Sequence, residues 1–182
     1  RRAIATTYET LAPEDILTFA GAGEAIYVAM QVLLGPSDHA IVAVPNYQSF
    51  EELPLRLCAV TGVPLRPEAD WELDLDEVRA ALLPNTRLIA VNFPNNPTGK
   101  VIAPDTWRGL IELARERGIW LLSDEVYRGL EREPSRQLAQ AADVYERGLS
   151  INVMSKAYGL PGLRIGWVAS RDREMLSRFE RY

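Results

Sequence analysis

Lys156 stands between Ser155 and a Gly- and Pro-rich run, AYGLPGL, and Arg164 follows eight residues later. A lysine amine is protonated and inert at neutral pH, but burial or neighbouring positive charge lowers its pKa and lets it condense with a carbonyl. A guanidinium suits a phosphate, which it can grip with parallel N–H donors. Three other stretches hold groups of comparable interest. Asp124 ends the apolar run WLLSD, which carries no Lys or Arg, so a buried carboxylate there needs a cation from elsewhere or from a ligand. NFPNNPTGK, residues 92–100, is stiffened by Pro94 and Pro97 and can turn at Gly99, so that Asn95 or Asn96 could present a fixed amide. GAGEAIY, residues 21–27, joins small residues to a helical pattern, where unpaired N–H groups attract an anion. Each stretch also has a plainer reading: a solvated lysine, turn asparagines, a strand-end aspartate in water, a Gly-rich connection. The glycines of 21–27 match neither the dinucleotide nor the P-loop spacing.

These residues need elements to position them. Short apolar runs rich in β-branched residues at 16–21, 41–45, 86–92, 119–125, 149–154 and 164–170 predict buried strands. Helical patterns lie between several of them, at 24–34, 75–83 and 104–117, with a last one at 172–182. The third has Pro104 near its start and Gly118 past its end. Strand–helix alternation implies an α/β fold with a largely parallel sheet, and such sheets bind ligands where loops leave the carboxyl ends of the strands. The candidate residues fall in those loops.

Composition narrows the function classes. A chain of 182 residues suits one domain. A net charge of −5 gives no electrostatic case for nucleic acid or an anionic membrane as partner, and no apolar run approaches the length of a membrane helix. The single cysteine, Cys58, reads as a small buried hydrophobe and suits a reducing cytoplasm. The one histidine, His39, excludes a multi-histidine metal site and, in the turn-like GPSDH, reads as a surface residue; no metal is expected. The four tryptophans are scattered and read as packing residues, Trp167 as core. The charged stretch EREPSR, 131–136, reads as a loop. Arg1-Arg2 at one end and a helical pattern running to Tyr182 at the other suggest an excerpt of a longer protein.

Taken together, a helix start suited to phosphate, a fixed amide, a strand-end carboxylate, a lysine and an arginine fit one ligand, pyridoxal 5′-phosphate. Its aldehyde takes the lysine, its pyridine nitrogen the carboxylate, its 3′-oxygen an amide or phenol, and its phosphate the helix start and the arginine.

In the same order along the chain, NNPTG at 95–99, SDEVY at 123–127 and SKAYGLPGLRIGW at 155–167 resemble the class I/II (fold type I) pyridoxal-phosphate aminotransferases over nearly the whole chain. The resemblance implies a three-layer α-β-α fold, with residues 1–182 as the cofactor-binding large domain, lacking the N-terminal arm and the C-terminal small domain. It implies that Lys156 forms the Schiff base and shuttles the substrate proton, and that Asp124 pairs with the pyridine nitrogen. It places Asn96 and Tyr127 on the 3′-oxygen and Tyr47 against the ring. Ala22 and Gly23 would offer N–H groups to the phosphate, joined by Arg164 and Ser155. Val153 departs from the Ser or Thr many relatives carry there, and GAGE lacks a hydroxyl some relatives have, so the phosphate grip is expected to be weaker by about 1 kcal/mol per missing hydrogen bond. The implied activity is amino-group transfer between an L-amino acid and a 2-oxo acid by a cytoplasmic homodimer. Two other readings stand beside it: a lyase, decarboxylase or cyclase using the same cofactor, and a non-catalytic effector-sensing domain of the same fold.

Overall fold

The computed structural model describes residues 1–182. Seven strands alternate with helices: α1 (Arg2–Ala5), β1 (Ile16–Phe19), α2 (Ala22–Leu33), β2 (His39–Val44), α3 (Gln48–Leu55), β3 (Ala59–Pro64), α4 (Leu75–Ala80), β4 (Thr86–Asn92), α5 (Pro104–Arg117), β5 (Trp120–Asp124), α6 (Ala141–Val144), β6 (Gly148–Val153), β7 (Gly166–Ala169) and α7 (Arg173–Glu180). They form one sheet in the order β1-β7-β6-β5-β4-β2-β3. β3, β2, β4, β5 and β6 are mutually parallel, whereas β7 runs against both β6 and β1.

Strand alternation explains the three layers. On β2, Ala40 and Val42 enter one core while Ile41 and Ala43 enter another; on β4, Leu88 and Ala90 oppose Ile89 and Val91 in the same way. Successive side chains of a strand point to opposite faces, so strands apolar at both parities require cover on both. α2 and α7 supply it on one side (Ile26, Met30, Met175, Phe179) and α5 on the other (Trp107, Leu110, Ile111, Ala114). Gly118 closes α5 with φ +64, its N–H reaching the carbonyls of Ala114 and Arg115, the left-handed stop that glycine adopts without strain.

All six strands expected from sequence are present, that at 86–92 with its predicted bounds and the others within a few residues. β3 was not expected. Its sequence, AVTGVP, contains a glycine and a proline, which speak against an interior strand; as the edge of the sheet it tolerates both. The same strand corrects the reading of His39. That residue opens β2 and is 1% exposed, not on the surface. Its Nδ1 hydrogen-bonds Thr86 Oγ1 at 2.8 Å and its Nε2 hydrogen-bonds Thr61 Oγ1 of β3 at 2.9 Å. Burial lowers its pKa, which favours the neutral ring. Cys58 is half-buried against the α2 side of the sheet, less enclosed than expected. Trp167 is fully buried, and no helix is long and apolar enough to cross a membrane.

Candidate active site

The reversed direction of β7 gathers the site. Gly166, its first residue, pairs with Phe19 at the end of β1 and with Val153 at the end of β6. Asn92 at the end of β4 pairs with Asp124 at the end of β5. The loops after β1, β4, β5 and β6 and the loop before β7 therefore leave the same edge. There they enclose a cavity of about 370 Å3 bordered by all nine residues singled out above: Ala22, Gly23, Tyr47, Asn96, Asp124, Tyr127, Ser155, Lys156 and Arg164.

The back wall is buried. Asp124 is 3% exposed. Its Oδ1 accepts the Val126 N–H at 3.1 Å, and its carbonyl accepts the Asn92 side-chain N–H at 3.0 Å. Burial pushes its carboxyl up to about 7, against the smaller opposing pulls of the Val126 N–H and the Lys156 charge. No cation is in salt-bridge contact with it, so the cleft holds a carboxylate whose ionised form calls for a positive partner. Asn92, fully buried, also accepts the Asn96 N–H at 2.7 Å and so fixes the start of the NNPTG turn. Sequence reasoning passed over it. An amide at the end of an apolar strand and directly before Phe93-Pro94 was the available signal, since such a group must be buried with partners.

The two asparagines of the turn divide their tasks. Asn95 is 4% exposed; its Oδ1 takes the Thr98 N–H at 3.1 Å and the Thr98 hydroxyl at 2.7 Å, and its Nδ2 donates to the Pro45 carbonyl at 3.1 Å. Asn95 thus closes the turn onto Thr98 and ties it to the loop after β2. Asn96 is the one that borders the cavity.

The mouth is built on glycines. Gly21 caps α2 with φ +112, a conformation restricted to glycine, and a Cβ there would lie 2.6 Å from a terminal nitrogen of Arg164. A Cβ on Gly166 would meet the Gly21 carbonyl carbon at 2.4 Å and the Ala22 nitrogen at 2.6 Å. The first turn of α2 thus lies directly on the start of β7, beside Arg164. Sequence reasoning named Ala22 and Gly23 but missed these two positions, where the absence of a side chain permits the close approach. The Glu24 carboxylate folds back onto the Ala20 N–H at 2.5 Å, so the Ala22 and Gly23 N–H groups, which have no intrahelical acceptor, remain for an anion.

Arg164 itself adopts φ +51 and donates to Ser155 Oγ at 3.3 Å and to the Pro161 carbonyl at 3.0 Å. A non-glycine residue at positive φ is strained by about 1–2 kcal/mol, and such strain concentrates where a side chain must be aimed. Lys156 is exposed at the mouth, with Nζ 5.6 Å from the centre of the Tyr127 ring. Tyr47, 43% exposed, immediately precedes α3 and borders the cavity. Val153 borders the cavity where a hydroxyl was expected to be absent.

A larger cavity, of about 800 Å3, adjoins this one and shares Asn96 and Tyr127 with it; Trp71 and the 131–136 loop, through Glu131, Arg132, Glu133 and Arg136, border it. Size does not decide between them. Lysine, buried carboxylate, arginine and free helix N–H groups meet only around the smaller one.

The smaller cavity therefore has a buried acidic back and a cationic mouth backed by helix N–H groups. That donor set matches a molecule with a protonatable ring nitrogen at one end and a phosphate at the other. Comparison with known proteins agrees. The chain is 37% identical over 161 residues to an arginine–pyruvate transaminase of Pseudomonas aeruginosa, covering 85% of this chain and 40% of that protein. It is 39% identical over 153 residues to the capreomycidine synthase of Streptomyces vinaceus, covering 84% and 39%. The crystal structure of a PLP-dependent aminotransferase from Streptococcus suis superposes with a TM-score of 0.93 at 35% identity, covering all of this chain and 48% of that one. The chain spans about two-fifths of the length of the curated relatives it matches. The family model for aminotransferase class I and II matches residues 1–182, and the chain belongs to that pyridoxal-phosphate-dependent family of fold type I.

Proposed function

We propose that this chain is the cofactor-binding large domain of an aminotransferase that moves an amino group between an L-amino acid and a 2-oxo acid. The observation that carries the reading is the shared cavity: Lys156, Asp124 and Arg164 border one space of about 370 Å3. Pyridoxal phosphate, when bound, supplies an aldehyde for covalent attachment and a ring that withdraws electrons from substrate Cα. Lys156 would supply the amine that holds it and would carry the proton at substrate Cα. Asp124, ionised by a pyridinium partner, keeps that nitrogen protonated from within a buried wall where its charge is little screened. Asn96 and Tyr127 would donate to the 3′-oxygen. Tyr47 would lie against the ring. Arg164, the Ala22 and Gly23 N–H groups and Ser155 would hold the phosphate.

The test uses the full-length protein. Keto-acid exchange on mixing amino acids with 2-oxo acids supports transamination. Release of ammonia or carbon dioxide in its place points to the second reading, the same cofactor used for elimination, decarboxylation or cyclisation, which the 39% identity to a protein named as a synthase keeps in play. An absorbance band from the cofactor–lysine bond in the wild type, absent in Lys156→Ala, tests the attachment. The proposed assembly is a homodimer. In support, Tyr158, Leu160 and Leu163 stand 41%, 47% and 55% exposed on the loop that carries Lys156 and Arg164, a patch suited to a protein partner. A monomer by size-exclusion chromatography of the full-length protein would contradict it.

A further inference from the structure

Glu125 follows Asp124 in SDEVY, points away from the cleft, and has no role in the chemistry above. It is 4% exposed. Its Oε1 accepts the Ala141 N–H at the start of α6 at 2.9 Å and the Ser150 hydroxyl of β6 at 2.9 Å. Ser150 Oγ in turn accepts the Ala142 N–H at 3.0 Å. The Glu125 N–H donates to the Ile151 carbonyl at 2.8 Å. One residue therefore joins the end of β5 to α6 and β6 immediately behind Asp124. Its other oxygen, Oε2, is buried with no hydrogen-bond partner in the protein. It belongs to a residue bordering a space of about 10 Å3, shared with Ser123, Arg128 and Glu131.

The charged groups around it do not neutralise it. Arg128 makes no salt bridge to it and directs Nε to the Leu138 carbonyl at 3.4 Å; Glu131 and Asp124 are themselves acidic, and Tyr8, which feels the Glu125 charge, offers none of its own. Burial costs the ionised form more than the Ala141 N–H, the Ser150 and Ser123 hydroxyls and the Arg128 charge, which favour it, together offset. With Oε2 unpaired, an ionised carboxylate would leave a full charge in a buried place, whereas a protonated acid leaves only a hydroxyl.

We propose that Glu125 is a positioning residue for Asp124 that works as a neutral carboxylic acid, fastening β5, α6 and β6 together so that Asp124 is held at a fixed place in the cleft. The inference rests on the proposed cofactor role of Asp124. Burial, the dominant influence, pushes the Glu125 carboxyl from 4.5 up to about 7. The folded chain then retains a proton that the unfolded chain releases, so the group's contribution to stability is complete below pH 4.5 and is lost as pH rises through about 7.

The experiment compares wild type, Glu125→Gln and Glu125→Ala in the full-length protein, reading cofactor affinity by absorbance titration and denaturant stability of the cofactor-free form from pH 4.5 to 7.5. Gln keeps the accepting oxygen and cannot ionise. It should bind cofactor within about twofold of wild type and flatten the fall of stability with pH, while Ala weakens cofactor binding about tenfold. The proposal is overturned if Gln binds as poorly as Ala, if Ala binds as wild type does, or if Gln leaves the pH profile unchanged. Should Ala not fold, the two readouts on Gln decide. Failure of the wild type itself to take up cofactor overturns the aminotransferase reading and the positioning role, while the stability arm still reports whether Glu125 is neutral.

Discussion

The back wall and the mouth of the cleft are made in opposite ways. Asn92, Asp124 and Asn95 are 0%, 3% and 4% exposed, on or next to interior strands covered on both faces. Lys156, Arg164 and Tyr47 are exposed, and the loop before β7 has only a three-residue helical turn, Pro161–Leu163, of its own. The wall is fixed by the sheet, since moving Asp124 means disturbing β4, β5 and β6 together. The mouth is fixed by local devices: two glycines in contact, one arginine at positive φ and a hydroxyl on its guanidinium. In the role proposed for it, a group that would stabilise charge within the ring gains from low dielectric and immobility. Groups proposed to grip a phosphate and to be displaced by substrate gain from access.

This contrast sets the order of expected effects. Lys156→Ala removes the proposed nucleophile at the mouth; transamination by the full-length protein should fall by about 10⁴-fold with the fold intact by circular dichroism. Activity within tenfold of wild type would place the covalent chemistry elsewhere. Asp124→Asn should cost about 10²–10³-fold in activity, the scale of losing one preorganised electrostatic partner. In the wall the same change has a second, opposite consequence. Burial raises the Asp124 carboxyl from 3.8 to about 7 in the cofactor-free chain, so its contribution to stability is complete below pH 3.8 and lost as pH rises through 7. Denaturation of the cofactor-free variant should therefore show greater stability than wild type at pH 8 and a flatter profile between. No such gain is expected at Lys156. A variant destabilised at pH 8 would mean that Asp124 has a cationic partner within the chain.

At the mouth the glycine contact can be tested directly. Gly166→Ala places a Cβ 2.4 Å from main-chain atoms that cannot turn aside, and should lower stability by about 1–3 kcal/mol by thermal or denaturant unfolding. Gly21→Ala meets the end of a flexible arginine and a φ of +112. It should cost about 1–2 kcal/mol through the backbone and loosen the phosphate by displacing Arg164. Equal stability of Gly166→Ala and wild type would show that α2 and β7 are not in contact as described.

How far the sequence could be read follows the same division. Interior strands announce themselves, because burial on both faces demands unbroken apolar runs, as at 86–92. The edge strand β3 did not, because an edge tolerates Gly62 and Pro64 and so carries signals of a loop. His39 was misplaced for a related reason: Gly35, Pro36, Ser37 and Asp38 mark a turn, and only the arrival of Thr61 and Thr86 from other strands makes its site an interior one. The side chains proposed to act by presence, Lys156, Asp124 and Arg164, could be picked out from the sequence, and they border one cavity. Gly21 and Gly166, whose missing side chains make room, and Asn92 and Glu125, whose side chains hydrogen-bond other residues, depend on which atoms tertiary structure brings near, and no spacing along the chain states that.

The smallest expected effect concerns Val153, buried at 4% yet bordering the cavity between wall and mouth. Val153→Thr keeps the β-branched shape that suits the end of β6 and adds one hydroxyl. If that hydroxyl faces the phosphate, cofactor affinity should rise by about two- to tenfold, the yield of one hydrogen bond of about 0.5–1.5 kcal/mol. If it faces the core, an unpaired hydroxyl costs about 1–3 kcal/mol of stability with no change in affinity. Absorbance titration and a melting curve on the same preparation separate the two. The first outcome makes β6 part of the phosphate grip, so that the mouth extends one residue into the sheet; the second sets its boundary at Ser155.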